Sequence, residues 1–140
     1  MGGINIGKWL LGGLVAGAAT WILEGLASLL YLEEMQVALA EHALTIEMNA
    51  TVFVWSIVVS LIVGLTLVYL YAVARTHFGP GPRTAVSVAI AIWVGGMVVS
   101  LIGYHMIGLY PDSMLVKWGL IGLVELILAS LAGGWIYSET

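Results

Sequence analysis

The chain has 140 residues, of which 61% are hydrophobic and 9% charged, with a formal net charge of −4. Soluble domains are nearer half apolar and a quarter charged, so a soluble enzyme is excluded, and nothing offers a basic patch for nucleic acid. Cysteine is absent, which removes disulfides, thiolate metal sites and cysteine nucleophiles together.

A helix crossing the ~30 Å hydrocarbon core needs about 20 apolar residues. Spans are predicted over 9–32, 52–74, 85–109 and 115–137. The first carries Glu24 as its only charge, and the second carries none. The third holds only His105, and the fourth holds Lys117 near one end and Glu125 inside. These runs are continuous rather than alternating, which favours helices over a barrel. The expected fold is all-α, a single four-helix transmembrane domain over 1–140. Lys8, Arg75 and Arg83 lie at one set of ends and Lys117 alone at the other. The positive-inside bias therefore places both termini in the cytoplasm. Trp9, Tyr69, Tyr71, Trp135 and Tyr137 are expected at the inner interface, and Tyr31, Phe53, Trp55, Tyr110 and Trp118 at the outer one.

The connection 33–51 reads as an amphipathic helix on the outer surface, with Met35, Leu39, Ala43 and Ile46 at helical spacing. It bears the acidic residues Glu33, Glu34, Glu41 and Glu47. The middle connection, Phe78-Gly79-Pro80-Gly81-Pro82-Arg83-Thr84, cannot continue a helix. Thr84 is the expected N-cap of the third span. The two halves read as a parallel repeat of two hairpins, because Tyr31-Leu-Glu-Glu-Met35 is similar to Tyr110-Pro-Asp-Ser-Met114 and Tyr69-Leu-Tyr71 to Trp135-Ile-Tyr137.

Depth follows from a rise of ~1.5 Å per residue, which puts Glu24, Ser60, Ser100 and Glu125 about 12–15 Å from the outer ends. Each lies on a stripe of small residues: Gly13, Gly17 and Thr20; Ser56 and Gly64; Gly96 and Gly103; Gly122, Ala129 and Gly133. Such stripes let helices approach closely, so both glutamates are expected to face partner helices rather than lipid. Ser28, Ser56 and His105 above them predict a polar funnel from the outside. Two carboxyls sharing a low-dielectric layer should not both ionise. The candidate ion- or proton-binding residues are thus Glu24, Glu125, Ser60, Ser100 and His105, with the acidic loop attracting cations. No metal spacing appears, and His42, His77 and His105 lie too far apart for a haem pair. No metal or cofactor is expected. No His-Glu-x-x-His or Gly-x-Ser-x-Gly motif points to catalysis.

The leading expectation is a non-enzymatic transporter or channel for protons or a small cation, embedded in the lipid bilayer as a homo-oligomer. The alternative is an accessory or assembly subunit bound to partner membrane subunits, with the glutamates as structural glue. The run Tyr71-Ala-Val-Ala-Arg75 followed by Phe78-Gly-Pro-Gly-Pro-Arg-Thr-Ala85 resembles a group of short bacterial four-span membrane proteins. Glu125 and the ending Gly134-Trp-Ile-Tyr137 are similar to that group's last helix, and the likeness covers most of the chain. Here Arg75-Thr76-His77 stands where the group often has Arg-Pro-Arg. The resemblance implies a bacterial inner-membrane setting and a helical bundle, and no activity.

Overall fold

A computed structural model describes residues 3–139, and no strand occurs among them. Helix α1 spans Ile6–Ala27 and closes in a 3-10 turn, Ser28–Leu30. Helix α2 spans Leu32–Glu41, and α3 spans Ala50–Phe78. The third long helix is built from α4, Pro82–Ile92, a π-helical segment, Trp93–Val98, and α5, Val99–Ile107. Helix α6 spans Asp112–Glu139. Four of the described helical stretches are long and apolar enough to cross a membrane.

Capping chemistry sets the helix ends, and it moves them outward from the expected spans. The Asn5 side chain accepts from the Lys8 N–H at 3.0 Å, so α1 starts three residues before Trp9. The Asn49 side chain accepts from the Val52 N–H at 3.0 Å and does the same for α3. Helix α4 starts with Pro82 in its first turn, where a missing N–H is harmless. Thr84 is therefore not the N-cap; its hydroxyl donates to the Gly79 carbonyl at 2.7 Å and closes the preceding turn. That turn places Gly79 at φ +83° and Gly81 at φ +128°, conformations that glycine alone adopts without strain.

The helix expected in the connection 33–51 is shorter than its hydrophobic spacing suggests. Helix α2 stops at Glu41, Ala43 takes a positive φ, and Ile46 and Glu47 lie exposed in irregular chain. Ala38 and Leu39 are its buried side chains.

Helix α1 packs along both α3 and α6. Its crossing with α3 uses two of the expected small-residue stripes. A Cβ added to Gly64 would overlap Gly17 N and Gly13 O, and one added to Gly17 would lie 3.1 Å from Ser60 O. The α1–α6 crossing is similarly bare, with Gly12 against the Gly133 carbonyl and Ala16 and Ala129 fully buried. Tryptophan N–H groups are satisfied across helices: Trp9 donates to the Leu65 carbonyl and Trp93 to the Gly119 carbonyl, both at 2.8 Å. The buried Ser130 hydroxyl donates to the Ala85 carbonyl at 2.7 Å, tying α6 to α4. Such bonds between apolar helices are worth roughly 0.6 kcal/mol each on average.

The π segment changes which face of the third long helix is covered. Thr84, Ala85, Val88 and Ala89 are buried, and an unbroken α-helix would continue that face through positions 92, 96, 100 and 103. One extra residue in the wide turn rotates everything after it by about 100°. The face turned toward α6 then becomes Trp93, Met97 and Leu101: a Cβ at Gly119 would meet Leu101, and one at Gly122 would meet Met97. Gly96, Ser100 and Gly103 turn outward, and a Cβ added to Gly95, Gly96 or Gly103 would meet nothing within 4 Å. This stripe therefore makes no close crossing with another described helix, although its spacing matches that of the other seams.

Candidate functional site: a carboxyl pair between α1 and α6

The small residues at the α1–α6 crossing bring Glu24 and Glu125 together. Their side chains are neighbours across the two helices. Glu125 is buried, and no N–H or hydroxyl among the described residues donates to its Oε1. Glu24 is half-buried. Two carboxylates have only acceptors, so a hydrogen bond between them requires a shared proton. Glu125 sits midway along α6, about 20 Å from its start at Asp112, well inside the apolar length of the bundle. The pair can hold a proton, or release it and offer oxygen ligands to a small cation.

The approach to this pair differs from the expected polar funnel. A groove of about 570 Å³ reaches Glu125 between α1 and α6, lined by Leu23, Leu26, Ala27, Leu120, Ile121 and Val124 among others. Its wall is almost entirely apolar. The three residues expected to form the funnel are engaged elsewhere. The Ser28 hydroxyl donates to the Gly25 carbonyl at 2.7 Å. The exposed Ser56 accepts from Trp21 Nε1 at 3.0 Å and donates to the Phe53 carbonyl at 2.6 Å. His105 Nδ1 lies 2.7 Å from Asp112 Oδ1, and both side chains are largely exposed.

Ser60 and Ser100 also stand apart from the carboxyls. Ser60 is buried, but it sits opposite Gly17, seven residues from Glu24 and so about 10 Å along α1. Ser100 is exposed and donates to the Gly96 carbonyl of its own helix at 2.8 Å. The expected four-span polar layer is thus a two-helix pair.

The acidic connection is split as well. Lys117 Nζ lies 2.7 Å from Glu34 Oε1 and donates to the Leu30 carbonyl at 3.3 Å, so Glu34 anchors α2 to α6. Glu33 and Glu41 remain exposed, and Glu47 lies beyond the helix. Among the described residues no group of three or more metal-ligating side chains forms.

Sequence reasoning missed one arrangement at the opposite end of the bundle, where Lys8 and Arg75 line one cavity. In the sequence both serve only as topology signals. The paired aromatic motifs were the available clue, since Tyr71 and Tyr137 meet edge to face and carry Arg75 over their rings. No family model, curated protein or solved structure matches this chain.

Proposed function

We propose that the chain is a multi-pass protein of a bacterial cytoplasmic membrane, with both termini inside, whose Glu24–Glu125 pair takes up and releases protons or a small cation. It acts as an oligomer and performs no covalent chemistry. One observation carries this reading: a buried carboxyl oxygen, midway along an apolar helix, with a second carboxyl as its neighbour and no N–H or hydroxyl donor. Placing an ionisable group at the bilayer centre costs about 2.5–3.5 kcal/mol on insertion scales. A structural hydrogen bond could be made by Gln or Ser without a group able to ionise. The chain instead places two carboxyls at one point. The apolar groove beside them supports an oligomer, in which a further helix supplies the wall that ions pass.

The alternative, an accessory or assembly subunit, is supported by the outward stripe of Gly95, Gly96, Ser100 and Gly103, where a partner helix could approach closely. Proton-driven flux in liposomes holding the purified chain separates the two readings. Wild type carries flux under the first and none under the second.

The orientation has its own test. His42→Cys and His77→Cys place thiols at exposed positions on opposite ends of the bundle. A membrane-impermeant maleimide applied to intact cells should label the first and spare the second. The reverse pattern would reject cytoplasmic termini.

A further inference from the structure

At the end of the bundle where α1 starts and α6 finishes, a cavity of about 640 Å³ opens between the start of α1, the end of α3 and Tyr137 of α6. Its charged side chains are Lys8 and Arg75, and no carboxylate among the described residues lines it. These are two of only four Lys and Arg residues in the chain. Of the others, Lys117 is paired with Glu34, and Arg83 is exposed and does not line the cavity. Neither Lys8 Nζ nor the Arg75 guanidinium makes a hydrogen bond or ion pair among the described residues.

The site is nevertheless built. The Arg75 guanidinium carbon sits 5.3 Å from the Tyr137 ring centroid and 5.9 Å from that of Tyr71. Those rings are fixed in turn. Tyr71 Oη lies 2.7 Å from Ser138 Oγ and accepts from the Gly81 N–H at 3.0 Å. Tyr137 Oη accepts from the Asn5 N–H at 3.2 Å. A ring face satisfies part of the charge of a guanidinium but none of its five N–H donors. Two half-buried cations line a cavity in which no carboxylate is found among the described side chains, and such a cavity calls for an anion. The lining also holds the polar Asn5 and Thr76 beside the apolar Ile4, Ala72, Val73 and Pro80, and the exposed Ile6 and Val73 extend the apolar part along the helices.

We infer that this cavity binds a phosphate ester of net negative charge, with Lys8 and Arg75 as its charged ligands and, when the ester is an anionic phospholipid headgroup, the Ile6–Val73 surface under its acyl chain. Basic pockets between membrane helices recognise anionic headgroups by this chemistry, at about 1 kcal/mol for each Lys or Arg. The assignment does not depend on the role of the carboxyl pair.

The test is native mass spectrometry of the full chain in detergent, titrated with dioleoylphosphatidylglycerol or dioleoylphosphatidylcholine, with inorganic phosphate as competitor. Wild type should retain the anionic lipid in preference to the zwitterionic one. Lys8→Gln should weaken anionic lipid binding about fivefold, the effect of one basic contact. Arg75→Gln should weaken it at least as much; if loss of the ring contacts unfolds that variant, Lys8→Gln still decides. Arg83→Gln, at the same end but outside the cavity, should leave binding unchanged. Displacement of the lipid by millimolar phosphate in wild type would support the site with a soluble phosphate ester as its source. Equal retention of both lipids without displacement by phosphate, or an equal loss in Arg83→Gln and Lys8→Gln, would overturn it.

Discussion

Gly64→Ala should be among the most damaging single-methyl changes available in this chain, lowering stability by about 3 kcal/mol, the upper part of the range for overpacking a close-packed interior. The new Cβ would overlap Gly17 N and Gly13 O, and both are backbone atoms of α1. No side-chain rotamer can relieve that overlap, so α1 and α3 would have to separate along a crossing that also positions the Trp9–Leu65 hydrogen bond. Gly103→Ala is the matched control. Its Cβ would meet nothing within 4 Å, and alanine favours a helix over glycine by up to about 1 kcal/mol. Unfolding in mixed micelles of increasing SDS fraction should show a large loss for the first and no loss for the second. Equal effects would mean that the Gly13–Gly17–Gly64 contact is not the tight crossing described.

That contrast marks how far the sequence could be read. Composition and run length suffice for four apolar helices, because membrane solvation leaves little choice of backbone structure. The stripes through Gly13 and Gly17, Ser60 and Gly64, and Ala129 and Gly133 were legible because small residues at helical spacing have one physical use among apolar neighbours. The Gly96–Ser100–Gly103 stripe has the same spacing and turns the other way. The cause lies in the π turn over Trp93–Val98, which adds a residue without leaving a mark in the hydrophobic pattern. Estimated depth likewise set Ser60 level with Glu24, whereas the α1–α3 register sets it opposite Gly17. Depth counted from helix ends assumes that all ends are level. Helix α3 starts at Ala50 and α1 closes at Leu30, and nothing in either sequence fixes their relative height. The Glu24–Glu125 meeting was legible only as two glutamates at similar depth; what joins them is the α1–α6 crossing at Gly12 and Gly133.

Glu24→Gln and Glu125→Gln should each leave the bundle folded and reduce proton- or cation-driven flux in liposomes at least about tenfold. Gln matches a protonated Glu in size and in hydrogen-bonding capacity, but it cannot ionise. The stability of the doubly apolar variant then gives an independent reading of why the pair exists. Glu24→Leu combined with Glu125→Leu removes a buried oxygen to which nothing among the described residues donates, and fills the same volume with carbon. Replacing a buried polar pair by well-packed apolar groups is often neutral or stabilising by about 1–4 kcal/mol. The double Leu variant should therefore unfold at the same SDS fraction as wild type or a higher one, and carry no flux. A group retained at a cost to stability and needed for transport is doing chemistry. If the double Leu variant instead fails to fold while both Gln variants keep full flux, the carboxyls are structural glue. Transport would then run outside the pair, whereas only the absence of wild-type flux would install the accessory-subunit reading.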